Sequence, residues 1–465
     1  MDIKNIGIYR QERPSYSEKK PYFPPAIFEE YPFNDRNTDQ SNHAYSSLRN
    51  LLKLLELDSE NFGKKSWNPF GSFIKPGDTV LLKPNFVRHF CENGDTKGLM
   101  THGSLIRAAA DYAYIALQGK GRIIIADGPM DDADFGKISS MSGIYEIRDF
   151  YKEQTGFDIE IYDLRQEMVV KKHEKIAQRV KLAGDPLGYS AVNLGSISAF
   201  KKGDLDHASF RGSECRPDIM SLHHNKEKDE YLISNTFLNA DVVINIPKMK
   251  THKRAGVTLS LKNMVGITGD RNWLPHYSDA ACSINKEAPK KSDFKKLIKK
   301  QLLFLKPLRD FLRQQVGVTE ATMRSGNWHG NDIIWRTILD LWRIALYADK
   351  NGIMRNEEQR KTFVIVDGII GGEADGPTNP TAKRCGVLVA GFHWPSVDIA
   401  ASRIMGFDPI KIPKFKGFSY LADIFCVSNI KEWNNKISDF KGACLNFKPH
   451  YGWKKHIEAE IDVKK

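Results

Sequence analysis

Residues 241–266, DVVINIPKMKTHKRAGVTLSLKNMVG, decide which fold this chain adopts. The stretch opens with a short apolar run, Val242–Ile246, which predicts a buried strand that turns at Pro247. Cations and amides at strand ends are how α/β proteins hold anionic ligands, so the stretch predicts an anion-binding or catalytic segment. The polar side chains that follow the two apolar runs of the stretch are Lys248, Lys250, His252, Lys253, Arg254, Lys262 and Asn263.

Short apolar runs that end in polar turns recur on either side of this stretch. Strands are predicted directly before Lys83, Asp127 and Asp367, with helices between them. The runs lack strict alternation, as expected of strands that are covered on both faces. We therefore predict an α/β fold with a mainly parallel or mixed sheet covered by helices, and a helical insertion. The polar turns are expected to gather in one cleft at the carboxyl ends of the strands.

The chain is long for a single core, and its 465 residues divide into four predicted segments. Residues 284–313 hold ten Lys or Arg against three acids, and apolar residues at three- and four-residue spacing predict a basic amphipathic helix over 290–313. Four roles fit such a helix: it caps the cleft, lies on an anionic membrane surface, contacts nucleic acid, or packs on its own domain with a solvated basic face. The segments are an N-terminal peripheral region (1–75), the first part of the α/β core (76–275), a basic helical insertion (276–350), and the second part of the core with the C-terminal region (351–465).

Three helix starts are predicted from local signals. A helix is expected over residues 42–57, with leucines on one face. Asp332 is expected to cap a helix that runs to about residue 348. Asp398 is expected to stabilise the N-terminus of its own helix, which begins at about Pro395.

The composition favours a soluble protein with 41% apolar and 27% charged residues. No run of about 18 apolar residues predicts a membrane span. The first 20 residues lack the apolar core of a secretory signal, so the cytoplasm is the expected location. No CxxC pair is present, so neither a zinc ribbon nor an iron–sulfur cluster is expected. The cysteines are Cys91, Cys215, Cys282, Cys385, Cys426 and Cys444.

The cationic segment supplies the candidate catalytic residues Lys248, Lys250 and His252. A lysine near the core loses its proton more easily and can act as base or nucleophile, and a histidine can transfer the proton. Polar groups at the strand ends, with one glycine, are candidate substrate-binding residues, namely Lys83, Asn85, Lys262, Asn263 and Gly376.

Three carboxylates are candidate metal ligands, Asp127, Asp367 and Asp375. Hard divalent cations favour such oxygens, so a divalent metal is the candidate cofactor. Asp-Gly, which occurs at all three positions, is also a common turn sequence. The sequence does not specify any other cofactor.

The order of these motifs resembles the bacterial and archaeal family called domain of unknown function 362. The resemblance rests on Lys-Pro-Asn, Asp-Gly-Pro, DVVINIPKMKTH with SLKNMVG, VDGIIGGEADGP, and a Val-Asp-x-x-Ala helix that ends in Met-Gly-Phe-Asp-Pro. It covers residues 77–409, apart from the insertion. Some members carry ferredoxin-like iron–sulfur modules, whose cysteine motifs this chain lacks. The positions that the resemblance implies are shared are Lys83, Asn85, Asp127, Lys248, Lys250, His252, Lys262, Asn263, Asp367, Gly376 and Asp398.

These features predict an enzyme that acts on an anionic small molecule, a carboxylate or a phosphate, in a cleft lined by lysine, histidine and aspartate. One alternative is a non-catalytic binding or assembly protein that uses its basic helix on a membrane surface, nucleic acid or a protein partner. Another is a redox protein related to the iron–sulfur members of the family. The reaction class and the oligomeric state are not specified by the sequence.

Overall fold

The computed structural model describes residues 6–279, 320–415 and 444–459, except positions 13, 93, 173, 174 and 213, together with Val318. The predicted basic helix at 290–313 lies outside the described residues. The strands of the described part are, in chain order, β1 (Ile6–Arg10), β2 (Thr79–Pro84), β3 (Arg122–Asp127), β4 (Glu160–Asp163), β5 (Glu167–Lys172), β6 (Lys175–Lys181), β7 (Tyr189–Asn193), β8 (Phe210–Arg211), β9 (Glu230–Ser234), β10 (Val242–Ile246), β11 (Lys248–His252), β12 (Gly256–Val257), β13 (Tyr277–Ser278), β14 (Lys361–Glu373) and β15 (Thr381–Gly391).

Helices cover both faces of the central sheet. Within the described ranges, none of them is long and apolar enough to cross a membrane. They are, in chain order, α1 (His43–Leu54), α2 (Gly103–Leu117), α3 (Phe135–Ser142), α4 (Ile144–Thr155), α5 (Pro217–His223), α6 (Asn235–Leu238), α7 (Leu259–Asn263), α8 (Glu320–Arg324), α9 (Ile334–Tyr347) and α10 (Trp394–Met405).

The central sheet is mixed and mostly parallel, which confirms the predicted α/β class. Its strand order is β1-β15-β14-β10-β2-β3-β4. The four neighbouring pairs from β14 to β4 are parallel, whereas β15 runs antiparallel to both β14 and β1. β11 pairs in parallel with the second half of β14, beyond the point where β10 ends. The N-terminal region, predicted as peripheral, therefore also contributes the edge strand β1.

The order of the strands places a switch point between β2 and β10. From β2 the chain moves outward to β3 and β4, while β10 and β14 lie on the other side of β2. In open α/β sheets the crevice outside the carboxyl ends at such a point is the usual ligand site. The turns after β2 and β3 open into this crevice, and β11, which follows β10, lines it as well.

Apolar side chains on both faces explain why these strands are buried. Alternate residues enter two cores, because successive side chains of a strand point to opposite faces. Leu81 and Val243 pack with residues of α9 and α10 on one face, whereas Val242 and Ile244 pack with α1 and α2 on the other. This double burial matches the near-continuous apolar runs in the sequence.

Two strands differ from the sequence-based prediction. The strand predicted at 363–366 was expected to end before Asp367, but β14 continues to Glu373 and carries Asp367 in its middle. β14 is held by β15 along one side and by β10 and then β11 along the other, and this pairing overrides the turn tendency of Asp-Gly. The segment after the turn at Pro247 is itself β11, and all of its side chains are buried.

Helix α1 is confirmed with slightly narrower bounds, but two predicted helix caps are wrong. The first turn of α9 is capped by Asn331, whose Oδ1 accepts hydrogen bonds from the amides of Ile333 and Ile334. Asp332 instead binds side chains of its own helix. The carboxylate of Asp398 accepts from backbone amides of α7 rather than from the first turn of α10, because its side chain points across to the neighbouring helix.

Candidate functional site

A cleft of about 110 Å³ opens at the switch point. Its walls come from the segments after β2 and β3, from β11 and α7, and from the turn around residue 377. Two acids, Asp127 and Asp131, line it. The basic residues that line it outnumber these acids, and they are Lys250, His252, Lys253, Arg254, Lys262, Arg271 and His276.

Lys83 and Asp127 form a buried ion pair beneath the floor of the cleft. The Nζ of Lys83 donates to Asp127 Oδ1 at 2.6 Å, and Asp127 Oδ2 accepts from the backbone amide of Phe86 at 2.7 Å. Burial lowers the pKa of Lys83 and raises the pKa of Asp127, and the contact between the two charges opposes both shifts. The pair ties the end of β2 to the end of β3.

Asn263, at the end of α7, closes the same junction. Its Nδ2 donates to Asn245 Oδ1 at 2.8 Å and to the carbonyls of Lys83 and Pro84. Its Oδ1 accepts from Asn85 Nδ2 at 3.0 Å. Four of the predicted site residues therefore meet, although they lie up to 180 positions apart in the chain, namely Lys83, Asn85, Asp127 and Asn263.

Lys248, the first residue of β11, pairs with Asp367 in the middle of β14. Its Nζ lies 3.1 Å from Asp367 Oδ2 and donates to the hydroxyl oxygen of Tyr16 at 2.7 Å. Tyr16 in turn donates to Asp367 Oδ1 at 2.6 Å, and the ring of His102 stacks on it. All three polar groups of this set are buried, and they do not line the cleft.

Helix α7 is held in place by Asp398. The amides of Ser260 and Leu261 donate to its two carboxylate oxygens at 2.7 and 3.2 Å, and Lys414 Nζ lies 2.8 Å from Oδ2. Leu259, the first residue of the helix, has a φ of 53°, a left-handed conformation that costs about 1 kcal/mol for a residue with a side chain. The buried carboxylate supplies the contacts that hold this strained start.

Lys250 reaches the cleft from β11 without a carboxylate partner among the described residues. Its Nζ donates to the carbonyl of Leu99 at 2.5 Å and approaches that of Pro377 at 3.5 Å. Burial, reinforced by the nearby charges of Lys262 and Lys248, holds the pKa of Lys250 well below its usual range. A lysine in this state suits proton transfer or the uptake of an anion.

Lys262 and Lys253 also lack a carboxylate within ion-pair distance in the described part of the chain. Burial, with the neighbouring guanidinium groups of Arg271 and Arg254, lowers the pKa of Lys262 to about 7. Burial and Arg254 lower the pKa of Lys253 to about 8. The cleft therefore concentrates positive charge that its own acids do not neutralise.

Two histidines line the cleft with different partners. His252 Nδ1 accepts from the backbone amides of Arg254 and Ala255, both at 3.1 Å. His276 Nδ1 lies 2.8 Å from the carbonyl oxygen of Leu274. Burial is the main cause that lowers the pKa of both imidazoles well below the usual range.

Two glycines allow close approach of the backbone around the cleft. A Cβ on Gly266 would lie 1.9 Å from Asp127 Oδ1 and 2.8 Å from Lys83 Nζ. A Cβ on Gly376, predicted to bind substrate, would lie 2.0 Å from the carbonyl oxygen of Thr251. Gly376 thus lets the turn beside the cleft pack on β11, and the neighbouring Pro377 and Thr378 line the cleft.

The three carboxylates predicted as metal ligands do not come together. Asp127 and Asp367 are buried and each faces a lysine, whereas Asp375 is exposed and lies 3.6 Å from His450 Nε2. No group of three or more metal-ligating side chains occurs among the described residues. Asp127 and Asp367 instead form ion pairs with lysines of the chain, so the three carboxylates do not form the shared metal site that was predicted from the sequence.

Several residues of the site were not singled out from the sequence, among them Asp131, Tyr16, His276 and Arg271. Tyr16 comes from a Pro-rich and aromatic-rich N-terminal segment, and no local signal links it to β14. His276 follows a proline with no ligand-like spacing. Arg271 had a usable signal, since it lies nine residues after Lys262 in a polar stretch that follows α7.

Fold and cleft together define an α/β protein with a cationic cleft at its topological switch point. The family model described as "Domain of unknown function (DUF362)" matches residues 80–194 and 189–403, and the chain belongs to this family. The chain is also 25% identical over 227 residues to the "Thylakoid-associated protein sll1697" of Synechocystis sp., an alignment that covers 49% of this chain and 48% of that protein. The match thus spans about half the length of that relative. No solved structure matches the chain.

Proposed function

We propose that the chain is an enzyme that binds a small molecule bearing a carboxylate or phosphate in the switch-point cleft. The proposal rests on one observation: Lys250, Lys253 and Lys262 converge on this cleft without a carboxylate partner among the described residues. Burying a cation without a counter-charge costs stability. A ligand that brings negative charge offsets this cost.

The lysines divide between holding the site and meeting the ligand. Lys83 and Lys248 already face Asp127 and Asp367, so we assign them to positioning the strand ends. We assign Lys262 and Lys253 to binding the negatively charged group of the ligand. Lys250 is the candidate base, because burial and its cationic neighbours hold its pKa well below the usual range.

Calorimetric titration with inorganic phosphate, and separately with a small dicarboxylate, tests the proposal. The wild-type chain is expected to bind at least one of them, and Lys250→Met with Lys262→Met is expected to abolish binding. Lys120→Met is the matched control, because Lys120 is exposed and lies at the amino ends of the strands, on the opposite edge of the sheet.

Loss of binding in the control as well as in the double variant would contradict the proposal, as would unchanged binding in the double variant. Mass spectrometry of small molecules released from the purified protein then identifies the natural ligand. The catalytic part is tested by searching for turnover of that ligand and for its loss in Lys250→Met.

Association with an anionic membrane surface is a second candidate. It is favoured by the ten basic residues between 284 and 313 and by the name of the relative, which describes that protein as thylakoid-associated. The chain would then work at the cytoplasmic face of a membrane. Sedimentation with phosphatidylglycerol vesicles tests this, and a chain without 290–313 that still sediments would contradict it.

A further inference from the structure

The two histidines of the cleft present opposite hydrogen-bonding groups to a ligand. We infer that His276 accepts a hydrogen bond from the ligand while His252 donates a hydrogen bond to it. The ligand therefore carries an O–H group beside its negative charge. This inference rests on the proposed anion-binding function. It narrows the ligand class to hydroxy acids and protonated phosphate groups.

His252 is fixed as a donor by its backbone contacts. Two amides, those of Arg254 and Ala255, point at Nδ1, so this nitrogen holds the lone pair. A neutral imidazole with its lone pair on Nδ1 carries its hydrogen on Nε2. The side chain is 5% exposed, and the group that it can offer to the cleft is therefore N–H.

His276 is fixed in the opposite sense. Its Nδ1 faces the carbonyl oxygen of Leu274, which can only accept, so Nδ1 carries the hydrogen. The lone pair of the neutral ring then lies on Nε2, and the side chain is 8% exposed at the cleft. Burial together with the charges of Arg254 and Lys262 favours the neutral ring.

The pair binds the two kinds of group that such a ligand carries. His276 Nε2 accepts the hydrogen bond of the ligand O–H, while His252 Nε2–H and the ammonium group of Lys262 bind its negatively charged oxygen atoms.

A comparison of phosphate with sulfate tests this arrangement, because the two anions share a tetrahedral shape and only phosphate carries an O–H group at pH 7. A buried acceptor rejects the analogue that cannot donate. The wild-type chain is therefore expected to bind inorganic phosphate at least about tenfold more tightly than sulfate in calorimetric titrations. Charge alone does not favour phosphate, since sulfate is at least as negative.

Two asparagine variants test the roles of the two histidines separately. The side-chain amide of asparagine can replace the hydrogen bond that Nδ1 of histidine makes, but it has no group in the position of Nε2. His276→Asn keeps a donor for the carbonyl of Leu274, and is expected to lose the preference for phosphate while sulfate binding stays within about twofold. His252→Asn keeps an acceptor for the two amides, and is expected to weaken both anions alike.

Three outcomes would overturn the inference. Equal affinity of the wild-type chain for the two anions overturns it without any variant, so the test survives a variant that fails to fold. A His276→Asn chain that keeps the full preference overturns it as well. Failure of the wild-type chain to bind phosphate or sulfate overturns the assignment of the histidines, and failure to bind the dicarboxylate as well refutes the proposed function itself.

Discussion

The lysines around the cleft fall into two groups according to their partners. Lys83 and Lys248 are buried against aspartates, whereas Lys250, Lys253 and Lys262 have none among the described residues. The sequence predicted that lysines at these strand ends would lie near one another. It did not predict the division, because each ion pair joins residues from 44 to 119 positions apart.

Removing the cation of a buried pair is expected to destabilise the fold. Among the described residues, Lys248→Met leaves the buried Asp367 with Tyr16 and backbone amides as its partners, and should lower the free energy of unfolding by about 3–5 kcal/mol. Urea denaturation measures the loss. Adding Asp367→Asn should recover part of it, and a double variant as unstable as the single one would contradict the pairing.

The opposite result is expected at Lys250. Lys250→Met removes an amine whose charged form is disfavoured by burial, so stability is expected to stay level or rise. Affinity for inorganic phosphate should fall at least about tenfold, because a hydrogen bond to a charged group is lost. A variant that loses stability and keeps its affinity would place Lys250 with the structural group.

Anion affinity is expected to depend on pH through Lys262. With a pKa of about 7, this lysine is charged below that pH and neutral above it, so sulfate affinity should fall as the pH rises through 7. Calorimetric titrations between pH 6 and about 8.5 measure the change. Lys262→Arg keeps its charge and should flatten the profile. Identical profiles for the two proteins would contradict the role of Lys262.

The strands and the helix around the cleft fix the positions of these lysines. β14 is long enough to carry β10 and then β11 along one edge, and α7 is anchored by Asp398 from α10. The sequence predicted the strand at Val242–Ile246 correctly because its apolar run is continuous. It missed the extension of β14 through Asp367 and the helix at Leu259–Asn263, because pairing and capping by distant residues overrode local turn and strand tendencies.

A close approach between elements makes Gly266 sensitive to substitution. Gly266→Ala would place a methyl group 1.9 Å from Asp127 Oδ1, so the Lys83–Asp127 pair has to shift, at a cost of about 1–3 kcal/mol. Gly136→Ala in α3 is the control, because its Cβ would meet nothing closer than 3.4 Å. Thermal unfolding followed by circular dichroism compares the two, and equal melting temperatures would contradict the tight packing.

At the scale of the whole molecule, the topology brings distant polar turns to one edge. The sequence predicted the fold class and a gathering of polar turns, because alternating strands and helices imply a parallel sheet with a common carboxyl edge. Lys83, Asn85, Asp127 and Asn263 meet there, whereas Asp367 does not line the cleft. The sequence did not predict that β1 would join the sheet or that Tyr16 would reach Asp367. Contacts of that kind depend on how the N-terminal region folds back onto the sheet, and the spacing of apolar residues in the sequence does not indicate this.

A crystal structure of the chain grown or soaked with inorganic phosphate is the sharpest test of anion binding in the switch-point cleft. One phosphate is expected there, within hydrogen-bond distance of both Lys250 Nζ and Lys262 Nζ. A cleft that stays empty at a saturating phosphate concentration, or one closed by carboxylates of this chain that neutralise both lysines, would contradict this expectation.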